Sequence, residues 1–152
     1  MKNKTIKEKL KHNQRLLAIW AADCAQHVLL YFEKEYPKDD RPRKAIEAAR
    51  AWVRGEITFS KVRSAALAAH AAAREAKENN RACFAARAAG QSAATAHVAG
   101  HAPHAADYAI KAAEAAGTSG EREWQSQHLP KSLLPLMKKS KISKIYTKML
   151  GS

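Results

Sequence analysis

Leu17, Trp20, Cys24, His27, Val28 and Tyr31 recur at steps of three and four, which places them on one face of a helix over about residues 13–36, stopped by Pro37. The run PKDDRP that follows supplies Asp39 or Asp40 as an N-cap and Pro42 near the first turn of a second helix. That helix carries Ala45, Ile46, Ala49, Trp52 and Val53 and ends at Gly55, a residue suited to the left-handed C′ position. Thr58 or Ser60 opens a third helix with Val62, Ala66, Ala69, His70 and Ala73 as its buried stripe, up to Asn79-Asn80. A fourth runs through Cys83, Phe84, Arg87 and Ala88 toward His97. Gly100 and Pro103 predict a break or kink over 100–103, because a proline inside a helix costs about 3 kcal/mol unless it sits in the first turn. A fifth helix across HAADYAIKAAEAA ends at Gly117, and Thr118 and Glu121 have capping-box spacing ahead of a sixth that contains Trp124. After Pro130, KSLLPLM reads as a short helix and ISKIYTKML as an amphipathic basic segment, with docking on its own domain preferred over a partner or a membrane surface.

No stretch alternates β-branched or aromatic residues with polar ones, so the fold class is all-α: a single-domain bundle of five to seven helices. Of the 33 alanines, 29 lie between residues 45 and 116, which makes this a closely packed scaffold. Small side chains let helix axes approach, and alanine has the best intrinsic helix propensity. The large residues left to define the packing are Trp20, Trp52, Phe59, Phe84, Tyr108 and Trp124. A chain of 152 residues can bury about 68–70% of its unfolded surface, so no disulfide or metal is required. Cys24 and Cys83, with no C-x-x-C, read as buried free thiols of a reducing compartment. Asp23, Gln26 and His27 interrupt the apolar stretch from Leu16 to Phe32, which excludes a signal peptide or membrane span there. The expected location is the cytoplasm.

The formal charge of +13 points first to nucleic acid, but its distribution does not. Residues 1–15 hold six Lys/Arg against one Glu and residues 131–152 hold six Lys against no acid, giving +5 and +6. The remaining 115 residues hold fifteen Lys/Arg and thirteen Asp/Glu, a net +2. The chain thus divides into a basic N-terminal extension (1–15), a nearly neutral helical body (16–130) and a basic amphipathic C-terminal segment (131–152).

Four runs carry a resemblance: RPRKAIEAARAWVRGEI (41–57), AALAAHAAAREA (65–76), ATAHVAGHAPHAADYAIKAA (94–113) and EREWQ (121–125). Together they resemble the immunity proteins of bacterial polymorphic toxin systems, in the small alanine-rich group labelled immunity-five-like. The resemblance covers roughly residues 16–130. Its specific part is the succession of AIEAARAW, AHVAGHA and EREWQ, since alanine-rich helices in general resemble one another. It implies a cytoplasmic helical protein that neutralises a cognate toxin by binding it, and it brings no active-site residues with it.

A search for chemistry among the residues themselves finds no H-E-x-x-H, no di-iron Glu-x-x-His pair, no glycine-rich phosphate loop and no G-x-S-x-G. No cofactor or metal is expected. Cys24 and His27, an i, i+3 pair, lie on the apolar stripe of the first helix, whereas a catalytic thiol needs an exposed electropositive setting. His97, His101 and His104, at i, i+4 and i+7, would line one face of an unbroken helix, with His70 or Asp107 as a further zinc ligand. The break at 100–103 turns His104 away from His97, so the preferred role is structural: imidazoles bonding carbonyls freed at the kink. A partner-facing role and a metal site are the alternatives.

Two function classes follow. One is a non-catalytic interaction protein that neutralises a toxin; its candidate contact is the first loop, where Glu33, Glu35, Asp39, Asp40, Arg41 and Arg43 concentrate both signs of charge. The same residues also read simply as helix caps. The other class is a small basic helical nucleic-acid-binding module, which would need a contiguous Lys/Arg face. No membrane partner is expected.

Overall fold

The structure, a computed structural model, describes the backbone of residues 2–134 and the side chains of residue 8 and residues 11–134. Among the described residues it is entirely helical: α1 (Lys2–Val28), α2 (Leu30–Glu33), α3 (Arg41–Val53), α4 (Phe59–Glu75), α5 (Asn80–Ala94), α6 (His101–Ala115), α7 (Glu121–His128) and a 3-10 turn (Lys131–Leu133). None of these helices is long and apolar enough to cross a membrane.

α5 is the centre, meeting α1, α2, α3, α4 and α6. A helix with neighbours on every side must be small on every side, and α5 buries Ala82, Ala85, Ala86, Ala88, Ala89, Gly90, Ser92 and Ala93. Ser92 and Thr95 hand their hydroxyl protons to the carbonyls of Ala89 (2.7 Å) and Gln91 (3.1 Å), so burial leaves no donor unmet there. The large side chains sit around this spine. Trp20, Leu29, Phe32, Ile46, Val62 and Leu133 are all fully buried. Of the six large residues named from sequence, only Trp20 belongs to that set; Phe59 is exposed, and the other four are half-buried.

Several boundaries differ from the pattern. The first helix begins at Lys2, not near Asn13, so the basic N-terminal segment is helical without a break into the body. It falters only at Leu29, whose N–H bonds Gln26 O (3.3 Å) in a tighter turn, and α2 then carries the chain to the Tyr36-Pro37 stop. Asp40 occupies the N-cap of α3 without a side-chain cap bond. Thr58 and Asn79 do cap, accepting from Lys61 N–H (3.5 Å) and Ala82 N–H (3.2 Å). Thr118 is no N-cap: its hydroxyl donates back to Ala113 O (3.0 Å), closing α6, and Gly120 at φ 89° opens α7. The predicted segment ISKIYTKML lies outside the described residues.

The helix break sits earlier than expected. α5 ends at Ala94, and Pro103 falls inside the first turn of α6, where its missing N–H has no intrahelical acceptor to lose. The carbonyls left free in the connection, Thr95 O and Ala96 O, are both taken by Gln14 Nε2 of α1 at 3.0 Å. A glutamine 81 residues upstream therefore holds the turn in place, not the histidines beside it.

Candidate partner-binding surfaces

α4 packs against α3 and α5 through Val62, Ala66, Ala69 and Ala73. Its other side presents Phe59, Arg63, Leu67, His70 and Arg74, spaced by four, four, three and four residues, hence one stripe. Where this stripe runs beside the end of α5, an open groove of about 360 Å³ forms, lined by Phe59, Arg63, Ala66, Leu67, His70, Ala93, Ala94 and His97. Phe59 is 40% exposed and Leu67 58%. Val98, next to His97 in the chain, is 47% exposed. Phe59 and Leu67 thus leave large apolar area open to water at the mouth of the groove.

The floor of the groove is His70. Arg87 Nη1 donates to its Nδ1 at 2.8 Å, which leaves the imidazole neutral with its proton on Nε2. Burial, reinforced by Arg87, Arg74 and His101, pushes its pKa down to about 4. The ring lies against the α5 backbone at Gly90, where a Cβ would come within 2.6 Å of Nε2. A side chain at that position would make the His70 ring shift. On the rim, His97 tilts against Phe59 at 5.1 Å between ring centres.

The structure thus brings together His70 and His97 of the four candidate histidines. His101 and His104 stand on the first turn of α6 with ring centres 6.5 Å apart. His101 Nδ1 bonds Gln91 Oε1 (2.8 Å) across the break, so its partner is a side chain and not one of the freed carbonyls. Burial, then His104 and His97, lowers the His101 pKa. Among the described residues no three of His, Cys, Asp and Glu are arranged to hold a metal ion.

The first loop is a different surface. Arg43 forks onto Glu33 (2.7 and 2.6 Å), Arg41 onto Asp39 (2.9 and 2.7 Å) and also onto Glu75, and Lys44 pairs with Asp40 (3.2 Å). The Arg41 hydrogen bonds hold the Asp39 carboxyl below its usual range. Of the six charged residues read as a contact, five are engaged with other charges of the chain; Glu35 is exposed.

The EREWQ run has a third role, docking α7. Glu121 accepts from His27 Nδ1 at 2.8 Å, Trp124 stacks between His27 (3.8 Å) and His128 (4.0 Å), and Gln125 Nε2 donates to Ala106 O (2.8 Å). Trp20 Nε1 meanwhile donates to Gln125 O (2.9 Å). His27 is thus an exposed surface residue turned to Glu121 instead of part of the apolar stripe. Cys24 is fully buried, and burial with Glu121 and Asp23 nearby drives its thiol pKa well up, so it holds no thiolate near neutral pH. Cys83 is free and only half-buried.

Sequence reasoning missed Arg63 and Leu67 and misread Phe59 as core. A signal existed: Leu67 and Phe59 are large apolar residues outside the Val62/Ala66/Ala69/Ala73 stripe of the same helix.

The family described as Imm-5 like putative immunity protein matches residues 8–132, starting inside the basic N-terminal segment and ending within the 3-10 turn. No curated protein and no solved structure is a significant match. An alanine-packed helical body whose 65–76, 94–113 and 121–125 runs build the groove, the α6 entry and the α7 clamp is what that match spans: the chain belongs to the Imm-5 like putative immunity protein family.

Proposed function

We propose that this protein binds and neutralises a cognate bacterial toxin, in the cytoplasm and without catalysing a reaction. The observation that carries the reading is the family match over residues 8–132. The preformed bundle supports it. Alanine-lined contacts around α5 hold helix faces in fixed relation, and a rigid binder loses little ordering entropy on contact.

A nucleic-acid module is favoured less by the charges of the body, because Arg41, Arg43, Arg50 and Arg54 each hold a carboxylate of the chain itself. Cations held in such pairs displace fewer counterions from a phosphate backbone. The first loop, with Glu33, Glu35, Asp39, Asp40, Arg41 and Arg43, remains one candidate contact, although a toxin docking there would have to compete with the internal pairs. The test is co-expression of the toxin encoded beside this gene, with and without the protein, scored by growth. Protection is expected, and it should survive deletion of residues 138–152; growth arrest despite soluble protein would overturn the reading.

A further inference from the structure

The groove between α4 and α5 differs from the first loop in its charges. Arg63 lines it, Arg74 and Arg87 flank it closely enough to act on His70, and no carboxylate is among its lining residues. Among the described residues no ion pair involves Arg63 or Arg74, in contrast to Arg41, Arg43, Arg50 and Arg54. Arginine and aromatic side chains are enriched at protein interfaces, and here a guanidinium outside any ion pair stands beside exposed Phe59 and Leu67, apolar walls that would strip water from it.

Resting on the immunity reading above, we infer that this groove is where the toxin docks, and that its occupant is an acidic, partly apolar segment of the toxin polypeptide. A carboxylate of that segment pairs with Arg63, and an aliphatic or aromatic side chain enters between Phe59, Leu67 and His97. Charge excludes the occupants nearer at hand. Residues 138–152 of this chain hold five lysines and no acid, and would be repelled. Two copies meeting groove to groove would oppose like charges. The neutral state of His70 matters too: a charged imidazole on the floor would need its own partner, whereas a neutral one lets the apolar side chain settle without desolvating a charge.

The experiment measures binding of the full-length chain to the toxin encoded beside its gene, by calorimetry at two salt concentrations. Arg63→Glu and Leu67→Glu are each expected to weaken binding by about tenfold or more. Glu35→Lys on the loop should change it by less than about threefold. Leu67 is 58% exposed, so its replacement leaves thermal unfolding near the parent's, which separates lost contact from lost fold. Arg63→Ala should flatten the salt dependence. If the unaltered chain binds and both groove variants bind equally well, the groove assignment is overturned while the immunity reading stands. If the unaltered chain does not bind the toxin at all, the immunity reading itself falls. A single-stranded oligonucleotide that binds the parent and is lost on Arg63→Glu would also overturn the assignment, since the groove would then be reading phosphate.

Discussion

The first loop and the α4/α5 groove contain the same currency, arginine beside other polar groups, arranged to opposite ends. In the loop, Arg41 and Arg43 turn inward on Asp39, Glu75 and Glu33, and the surface closes on itself. In the groove, Arg87 turns inward on His70, but Arg63 and Arg74 stay outside any ion pair among the described residues, next to exposed Phe59 and Leu67. The lesson is that charge density alone does not mark a contact surface. What counts is charge that the fold has left without a counter-charge, together with apolar area that water does not favour.

The sharpest way to break this contrast is at Gly90. Gly90→Ala puts a Cβ within 2.6 Å of His70 Nε2, so the ring must leave its seat and give up Arg87. A net destabilisation of about 1–2 kcal/mol in urea unfolding is expected. In a His70→Ala background the sign reverses, because the better helix propensity of alanine is then worth up to about 1 kcal/mol. Equal effects in both backgrounds would remove His70 as the floor of the groove.

Acidification from pH 6.5 toward 4 acts on the groove before it reaches the lowered Asp39 carboxyl of the loop. The folded-state pKa of His70 is lowered to about 4 from an ordinary 6.5, so the unfolded chain takes up the proton first. Stability is whole above pH 6.5 and declines as pH falls toward 4, with His101 adding in the same direction. Thermal unfolding across that range should show the decline, and His70→Asn should reduce its slope. An unchanged slope would assign the effect elsewhere.

Helix caps give a smaller contrast. Asn79 Oδ1 accepts from Ala82 N–H at the start of α5, so Asn79→Ala should cost about 1 kcal/mol, whereas Asp40 makes no such bond and Asp40→Ala should cost only a few tenths. The smallest effect belongs to the loop pair: a double-mutant cycle on Arg43 and Glu33 should return about 0.2–1 kcal/mol, falling with added salt. A coupling well above that would make the loop a structural clasp and not a solvated network.

Much of the fold was legible because alanine and the 3.6-residue period leave few alternatives. The Thr58 cap and the Gly55 and Gly117 ends, at φ 74° and 81°, follow from local rules, as does the α4 stripe except for His70, which the sequence placed in the stripe and the structure turns to the groove. The site was less so. The spacing of His97, His101 and His104 suggested one constellation, yet His97 joined Phe59 and His70 on the α4 side while His101 found Gln91. Thr118 had the spacing of a capping box but served the preceding helix.

By itself, then, the sequence determined that this chain is a bundle of closely packed helices, most of their buried stripes, and, through four short runs, the family it belongs to. Those properties depend on neighbours three or four residues apart, which any reader of the chain can pair. Only the tertiary structure decided that Gln14 holds the turn after α5, that Glu121 meets His27, and that the arginines of the loop are paired while Arg63 is not. Such pairings run from Glu33 with Arg43, ten positions apart, to His27 with Glu121, 94 apart, and depend on how helices are set against each other, which alanine permits at many angles and which the few large side chains narrow.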